Sequence, residues 1–135
     1  MPKAVVIGGG IGGLASGVAL RRKGWDVTVL ERAASIEPVG SGLAVAANAL
    51  KALDTLGLGD RVRALSTVEG PFGVRRADGR WLVHTTEDNA DARYGDSVVI
   101  MLRATLMDVL RDALGPADLL LDTPVTGVDA DRGVV

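Results

Sequence analysis

The sequence predicts an α/β fold: a βαβ unit with a parallel sheet, then a β-hairpin belonging to a second, incomplete sheet. Three observations carry this. An apolar run, a glycine cluster, a stretch of helical periodicity and a second apolar run follow one another within the first thirty residues, the order of strand, turn, helix and strand. Asp78-Gly79, a strong hairpin turn, lies between two β-rich runs. A second helical stretch at 103–114 leads into another apolar run at 119–121.

Residues 3–7 are short and apolar, and the glycines after them end a buried strand in a tight turn. Over 11–23, Ile11, Leu14, Ala15, Val18 and Ala19 share one helical face. Gly24 stops that helix beside a basic last turn, Arg21-Arg22-Lys23, which suits the negative end of the helix dipole. Residues 26–30, with Val27, Val29 and Leu30, form a second buried strand. Strand, helix and strand at this spacing imply a parallel pair with a right-handed crossover. Residues 33–46 carry little charge and contain Pro38-Val39-Gly40-Ser41-Gly42, so a loop is expected there. Over 48–56, Leu50, Leu53 and Leu56 share a helical face capped by Gly57, and 60–65 supply a further helical turn.

The character changes near Glu69. Residues 74–86 are expected to form a hairpin about Asp78-Gly79, 87–96 an exposed acidic loop, and 97–101 a strand. Residues 103–114, with Leu106, Val109, Leu110 and Ala113, form a helix ended by Gly115-Pro116. Residues 119–121 and 125–129 are expected to be the third and fourth buried strands. After a turn at Asp131-Arg132-Gly133, Val134 and Val135 begin a return strand with no room to pair, which leaves an open edge. The chain is therefore expected to be a piece of a longer protein.

Composition narrows the function classes. Hydrophobic residues make up 47% of the 135 and aromatics only 3%, so the core must be aliphatic. A net charge of −2 provides no basic footprint for nucleic acid or an anionic membrane. There is no cysteine, which excludes disulfides, thiolate metal sites and a cysteine nucleophile and fits a cytoplasmic location. The uncharged run over 4–20 contains six glycines and is followed by its basic cluster, so it suits neither a membrane span nor a signal peptide. His84, the single histidine, has no metal-ligand spacing around it and suits a hairpin surface. Glu87, Asp88, Asp91 and Asp96 suit a solvated loop better than a metal cage. Trp25 and Trp81 are read as packing residues.

Gly8-Gly9-Gly10-Ile11-Gly12-Gly13 satisfies G-x-G-x-x-G between an expected strand and an expected helix, the context that gives the motif meaning. Gly8 allows the tight turn, Gly10 leaves room for a pyrophosphate, and Gly13 lets the helix lie close to the strand. The N–H groups of the first helical turn, over Ile11, Gly12 and Gly13, face the diphosphate together with the positive end of the dipole. Glu31 lies eighteen residues after Gly13, at the end of the second strand. A carboxylate there accepts both ribose hydroxyls of an adenosine and repels a 2′-phosphate. The unit is thus Rossmann-like and built for a dinucleotide. A plain structural βαβ with a surface acid is the blander alternative.

The residues after Glu31 separate FAD from NAD. Glu31-Arg32, Gly40-Ser41-Gly42-Leu43, the block from Asn48-Ala49-Leu50 to Leu58-Gly59-Asp60, and Arg103-x-x-Leu106-x-x-x-Leu110 resemble the N-terminal part of the single-component FAD-dependent aromatic hydroxylases (para-hydroxybenzoate hydroxylase-like monooxygenases). The resemblance is strong over 4–60, moderate over 98–128 and weak between. It implies that Arg32 lies beside the adenosine, that Gly42 and Leu43 pass close to the flavin or ribityl chain, that Arg103 hydrogen-bonds the ribityl or diphosphate region, and that Val125 offers backbone contacts to adenine. Each has a plainer reading: Arg32 as a solvated side chain, Arg103 as an ordinary first-turn residue, Gly42 as a loop-shaping glycine, Val125 as core. Ala47 stands where the family often has proline, and Leu102 where a small polar residue or histidine is common.

The resemblance also implies a domain plan: 1–68 as the FAD-binding βαβ unit and following helix, 69–101 as a β-rich insertion from the substrate-binding region, and 102–135 as a return to the FAD-binding domain. The whole enzyme would use NAD(P)H and O₂ to hydroxylate a small aromatic molecule, with no catalytic side chain supplied from these residues. The family's downstream Asp-Gly and Gly-Asp motifs are absent, so exposed apolar surface and self-association are expected of this chain, and catalysis by it alone is not. Two other functions stay open on the sequence: an NAD-dependent Rossmann oxidoreductase, and a non-catalytic nucleotide-binding or interaction fragment.

Overall fold

The computed structural model describes residues 1–36, 41–66, 72–85, 95–96 and 98–135. The chain divides into two compact units, Met1–Gly40 with Arg103–Val135, and Ser41–Leu102.

The first unit is built on β1 (Lys3–Ile7), α1 (Ile11–Arg22) and β2 (Asp26–Leu30), close to the bounds their apolar spacing predicts. It is completed by α4 (Arg103–Leu114), a 3₁₀ turn (Pro116–Asp118) and β7 (Leu119–Leu120). The sheet order is β1-β2-β7 and both pairings are parallel, from Lys3 opposite Asp26 to Ile7 opposite Leu30, with Val29 and Leu30 opposite Leu119 and Leu120. The core is aliphatic: Leu14, Val18, Val27, Val29, Leu106, Leu110 and Leu114 are all buried. Gly17 is the seam, since a Cβ there would meet Leu114 Cδ1 at 2.9 Å and Val29 Cγ2 at 3.0 Å. The two helices join at their C-terminal ends, where Arg21 donates to the carbonyl of Leu114 and to Asp118. Arg21 is thus less a dipole ornament than a cap for the neighbouring helix.

Side chains alternate across a strand. Val6 faces α1, within 3.5 Å of a Cβ placed on Gly13. Val5 and Ile7 therefore point to the other face, where they are 46% and 53% exposed. The expected exposed apolar surface is present there.

The expected fourth strand over 125–129 is not formed. Asp129 and Val134 make one antiparallel bridge instead, with N–H···O distances of 2.8 and 3.0 Å. The chain leaves the sheet at Asp122, which has φ of 51°. Asp122 N–H then bonds to Ala33 O and Thr123 N–H to Glu31 O, both at 2.9 Å. Val125 is half-buried rather than core. A β-rich run becomes a strand only beside a partner, and none of the described residues pairs with 125–128.

The second unit holds β3 (Gly42–Val45), α2 (Ala47–Thr55), α3 (Gly59–Arg63), β4 (Phe72–Arg75), β5 (Trp81–Thr85) and β6 (Val99–Leu102). β3 corrects the loop expected over 33–46. Gly42 to Val45 pair antiparallel with Leu102 to Val99, a partner too distant in sequence for local pattern to reveal. Val45, Leu50, Leu53, Leu58, Val62, Val99 and Met101 are buried. The hairpin forms as expected about Asp78-Gly79, with Phe72 opposite Thr85 and Val74 opposite Val83. His84 is exposed on it, and the Arg75 guanidinium lies 3.8 Å over the Trp81 ring.

Asp96 is a second correction. It is not a solvated loop acid but a half-buried partner of Arg63. The same guanidinium forks onto Asp54 at 2.7 and 2.9 Å, a bidentate pair. Asp54 beside Arg63 sits below its ordinary range, and Arg63 is held fully protonated by both acids. Gly59 leaves the space for this pair, since a Cβ there would lie 1.7 Å from Asp54 Oδ1. Glu69, Glu87, Asp88, Asp91 and Ser97 lie outside the described residues.

Candidate functional site

The site is assembled where β1 ends, α1 begins and β2 ends. The chain leaves β1 at Gly8 with φ of 102°, a conformation that a side chain disfavours. Gly8 N–H donates to Leu30 O at 2.7 Å, which ties the turn to the end of β2. A Cβ on Gly13 would lie 1.8 Å from Gly8 O, so helix and turn touch backbone to backbone. That is the close approach for which the third glycine of the motif was expected.

Gly10 caps α1 with extended backbone and no side-chain hydrogen bond, and the first intrahelical bond described runs from Leu14 N–H to Gly10 O at 2.9 Å. The N–H groups of Ile11, Gly12 and Gly13 thus lie in the orphan first turn of a twelve-residue helix. Among the described residues, chain neighbours and the helix's own backbone aside, no atom lies within 4 Å of a Cβ built on Gly10 or on Gly12. The turn therefore has open space over a helix N-terminus, which is what a diphosphate needs.

Glu31 stands over this turn. Its Oε2 accepts from Gly9 N–H at 2.6 Å and its Oε1 from Ala33 N–H at 2.9 Å. The Ala33 and Gly9 bonds, helped by the charge of Arg32, hold its carboxyl below the usual 4.5 against a smaller opposing effect of burial. A carboxylate has about four lone-pair sites, and the backbone donors of Ala33, Gly9 and Arg32 do not fill them all, which leaves acceptor capacity for a ribose hydroxyl.

Gly9 is the residue that the motif reading passed over as a spacer. It is buried, it donates to Glu31, and a Cβ on it would lie 2.9 Å from Glu31 Cβ. The run of three glycines was the signal available in the sequence, since the motif itself leaves that position free.

Gly8, Gly10, Ile11, Gly12, Gly13 and Glu31 thus come together in the first unit. Arg32 follows Glu31 with an exposed side chain, Arg103 is exposed at the first position of α4, and Val125 is half-buried. Gly42 and Leu43 are in the second unit, on β3 opposite Leu102 and Met101. No metal-holding cluster of His, Cys, Asp and Glu occurs among the described residues, and none of their helices is long and apolar enough to cross a membrane.

The chain matches the model of the FAD binding domain family over residues 2–135. It is 31% identical over 128 residues to Monooxygenase 1 of Arabidopsis thaliana, covering 95% of this chain and 31% of that protein. It is 32% identical over 136 residues to the 3-hydroxybenzoate 6-hydroxylase of Polaromonas naphthalenivorans, covering 97% and 34%. The solved structure of Klebsiella pneumoniae HpxO complexed with FAD and uric acid superposes with a TM-score of 0.83 at 29% identity, covering 96% of this chain and 33% of that one. The chain spans about a third of the length of these relatives. With the glycine turn and its carboxylate in place, the match across nearly the whole chain leaves one assignment: the protein belongs to the FAD binding domain family, and the relatives it resembles include a monooxygenase and a hydroxylase.

Proposed function

We propose that this chain binds the adenosine-diphosphate half of FAD, as the N-terminal part of a monooxygenase that hydroxylates a small aromatic molecule. The observation that carries the reading is the Glu31 carboxylate lying on a glycine turn at the open N-terminus of α1. In this assignment the N–H groups of Ile11, Gly12 and Gly13 bind the diphosphate, and the free lone pairs of Glu31 accept the ribose hydroxyls. Arg32 lies beside the adenosine and Val125 offers its backbone to adenine. Arg103 reaches the ribityl or diphosphate region, and Gly42 and Leu43 pass near the flavin. Bound FAD would supply the redox chemistry, with NAD(P)H as reductant and O₂ as co-substrate.

The residues of this chain position the cofactor, and none is assigned as acid, base or nucleophile. Residues 69–101 serve the substrate-binding region and 102–135 return to the FAD-binding domain. A cytoplasmic location accords with the cysteine-free composition.

The test is a titration of the chain with FAD, followed by flavin fluorescence, with NAD and Glu31→Ala as controls. Saturable binding that the variant weakens and NAD does not match is expected. Equal binding of NAD, or indifference to the variant, would overturn the assignment.

A further inference from the structure

The Gly8-Gly9-Gly10 turn has no side chain with which to hold itself. Three consecutive glycines have the largest conformational freedom a backbone offers, and ordering them costs accordingly. The usual devices are missing: α1 has no side-chain N-cap and no acid in its first turn.

The side chain that reaches into the turn is Glu31, and it is itself held on three sides. Its N–H donates to Leu120 O and its carbonyl accepts from Thr123 N–H, each at 2.9 Å. Its Oε1 accepts from Ala33 N–H at 2.9 Å. The other oxygen then takes the Gly9 N–H at 2.6 Å, a charge-assisted bond of the stronger kind. Gly9 lies flush against it, with no room for a Cβ. The turn is tied to β2 at Gly8 by the bond to Leu30 O, and at Gly9 it is fastened to the β2–β7 ladder through the Glu31 carboxylate.

We propose that Glu31 is a positioning residue for the phosphate-binding turn, holding Gly8 to Gly10 in the binding conformation before any nucleotide arrives. This rests on the nucleotide-binding assignment above and adds to it, because the role does not require ribose hydroxyls. Fixing the turn in advance removes an ordering cost from binding, so Glu31 contributes to affinity twice, once through the ribose and once through the turn.

Two measurements separate the roles. Amide hydrogen exchange of the ligand-free chain reads the turn directly, with the Thr28 and Leu30 amides of β2, which face β1 in the parallel ladder, as internal controls. Gly9 is expected to be protected in the unaltered chain and to exchange about tenfold faster in Glu31→Gln, where a neutral amide oxygen replaces the charged acceptor. Thr28 and Leu30 follow opening of the whole sheet, so they report any general loss of stability and are expected to stay far more protected than Gly9 in both proteins. An unprotected Gly9 in the unaltered chain overturns the proposal without any variant.

Calorimetric titration then compares ADP with 2′,3′-dideoxy-ADP on the unaltered chain and on Glu31→Gln. A positioning role weakens both ligands in the variant, the dideoxy compound by about three- to tenfold. Loss for ADP alone, with dideoxy-ADP bound equally by both proteins, confines Glu31 to the ribose and overturns the proposal. Failure of the unaltered chain to bind ADP sinks the nucleotide assignment instead, while the Gly9 exchange rate still decides whether Glu31 orders the turn.

Discussion

Two residues set the glycine turn for different physical reasons. Gly13 is there because a methyl group would collide with the Gly8 carbonyl at 1.8 Å. Backbone cannot swing aside as a side chain does, so Gly13→Ala is expected to destabilise the chain by about 2 kcal/mol or more. FAD affinity should fall with it, as read by urea unfolding and fluorescence titration. Glu31 is there for its charge. Its carboxyl is held below 4.5 in the fold by Ala33 and Gly9, so its contribution is present above that value and is lost as pH falls through the lowered one. Chemical unfolding of wild type and Glu31→Gln should differ by about 1–2 kcal/mol near neutral pH. That gap should close in acid, and one that widened there would contradict the assignment. Gly8, Gly10, Gly13 and Glu31 were legible in the sequence because their spacing encodes a local geometry. Gly9 was not, because its demand comes from a side chain on another strand.

At the scale of elements, α1 shows how two opposing terms meet at one position. Gly17 in a helix interior costs about 1 kcal/mol relative to alanine. A Cβ there meets only side-chain ends, Leu114 Cδ1 at 2.9 Å and Val29 Cγ2 at 3.0 Å, and these yield a few tenths of an ångström. Gly17→Ala is therefore expected to be nearly neutral. Gly17→Val, with two further methyl groups in the same seam, should cost about 2 kcal/mol. Urea midpoints of both variants check the ordering. β1, α1, β2 and α4 were readable because apolar periodicity and glycine stops lie within each segment. β3 was not: its four residues pair with Val99 to Leu102, and no window on the sequence contains both strands. The expected strand over 125–129 failed for the converse reason, since its composition suits a strand but the described residues offer no partner.

For the whole molecule, the exposed face of β1 matters most. Val5 and Ile7 project from a strand that pairs on one side with β2 and are about half exposed. Apolar side chains beside a strand edge that no described residue pairs favour association. Sedimentation of the chain is expected to depend on concentration, and Ile7→Thr, which keeps a β-branched residue, to reduce that dependence without altering the circular dichroism. Concentration-independent sedimentation of the unaltered chain would remove the expectation.

The sequence by itself determined the parallel βαβ unit, the hairpin and the glycine turn with its acid, because each is specified by residues near one another in the chain. Tertiary structure decided what depends on distant partners. It paired β3 with β6, turned 122–123 onto Glu31 and Ala33, fastened Arg21 to the end of α4, and drew Asp96 onto Arg63. Hydrogen bonds and ion pairs form between groups that the fold brings within about 3 Å of each other. A pattern read along the chain shows which groups are available, and only packing selects the pairs that meet.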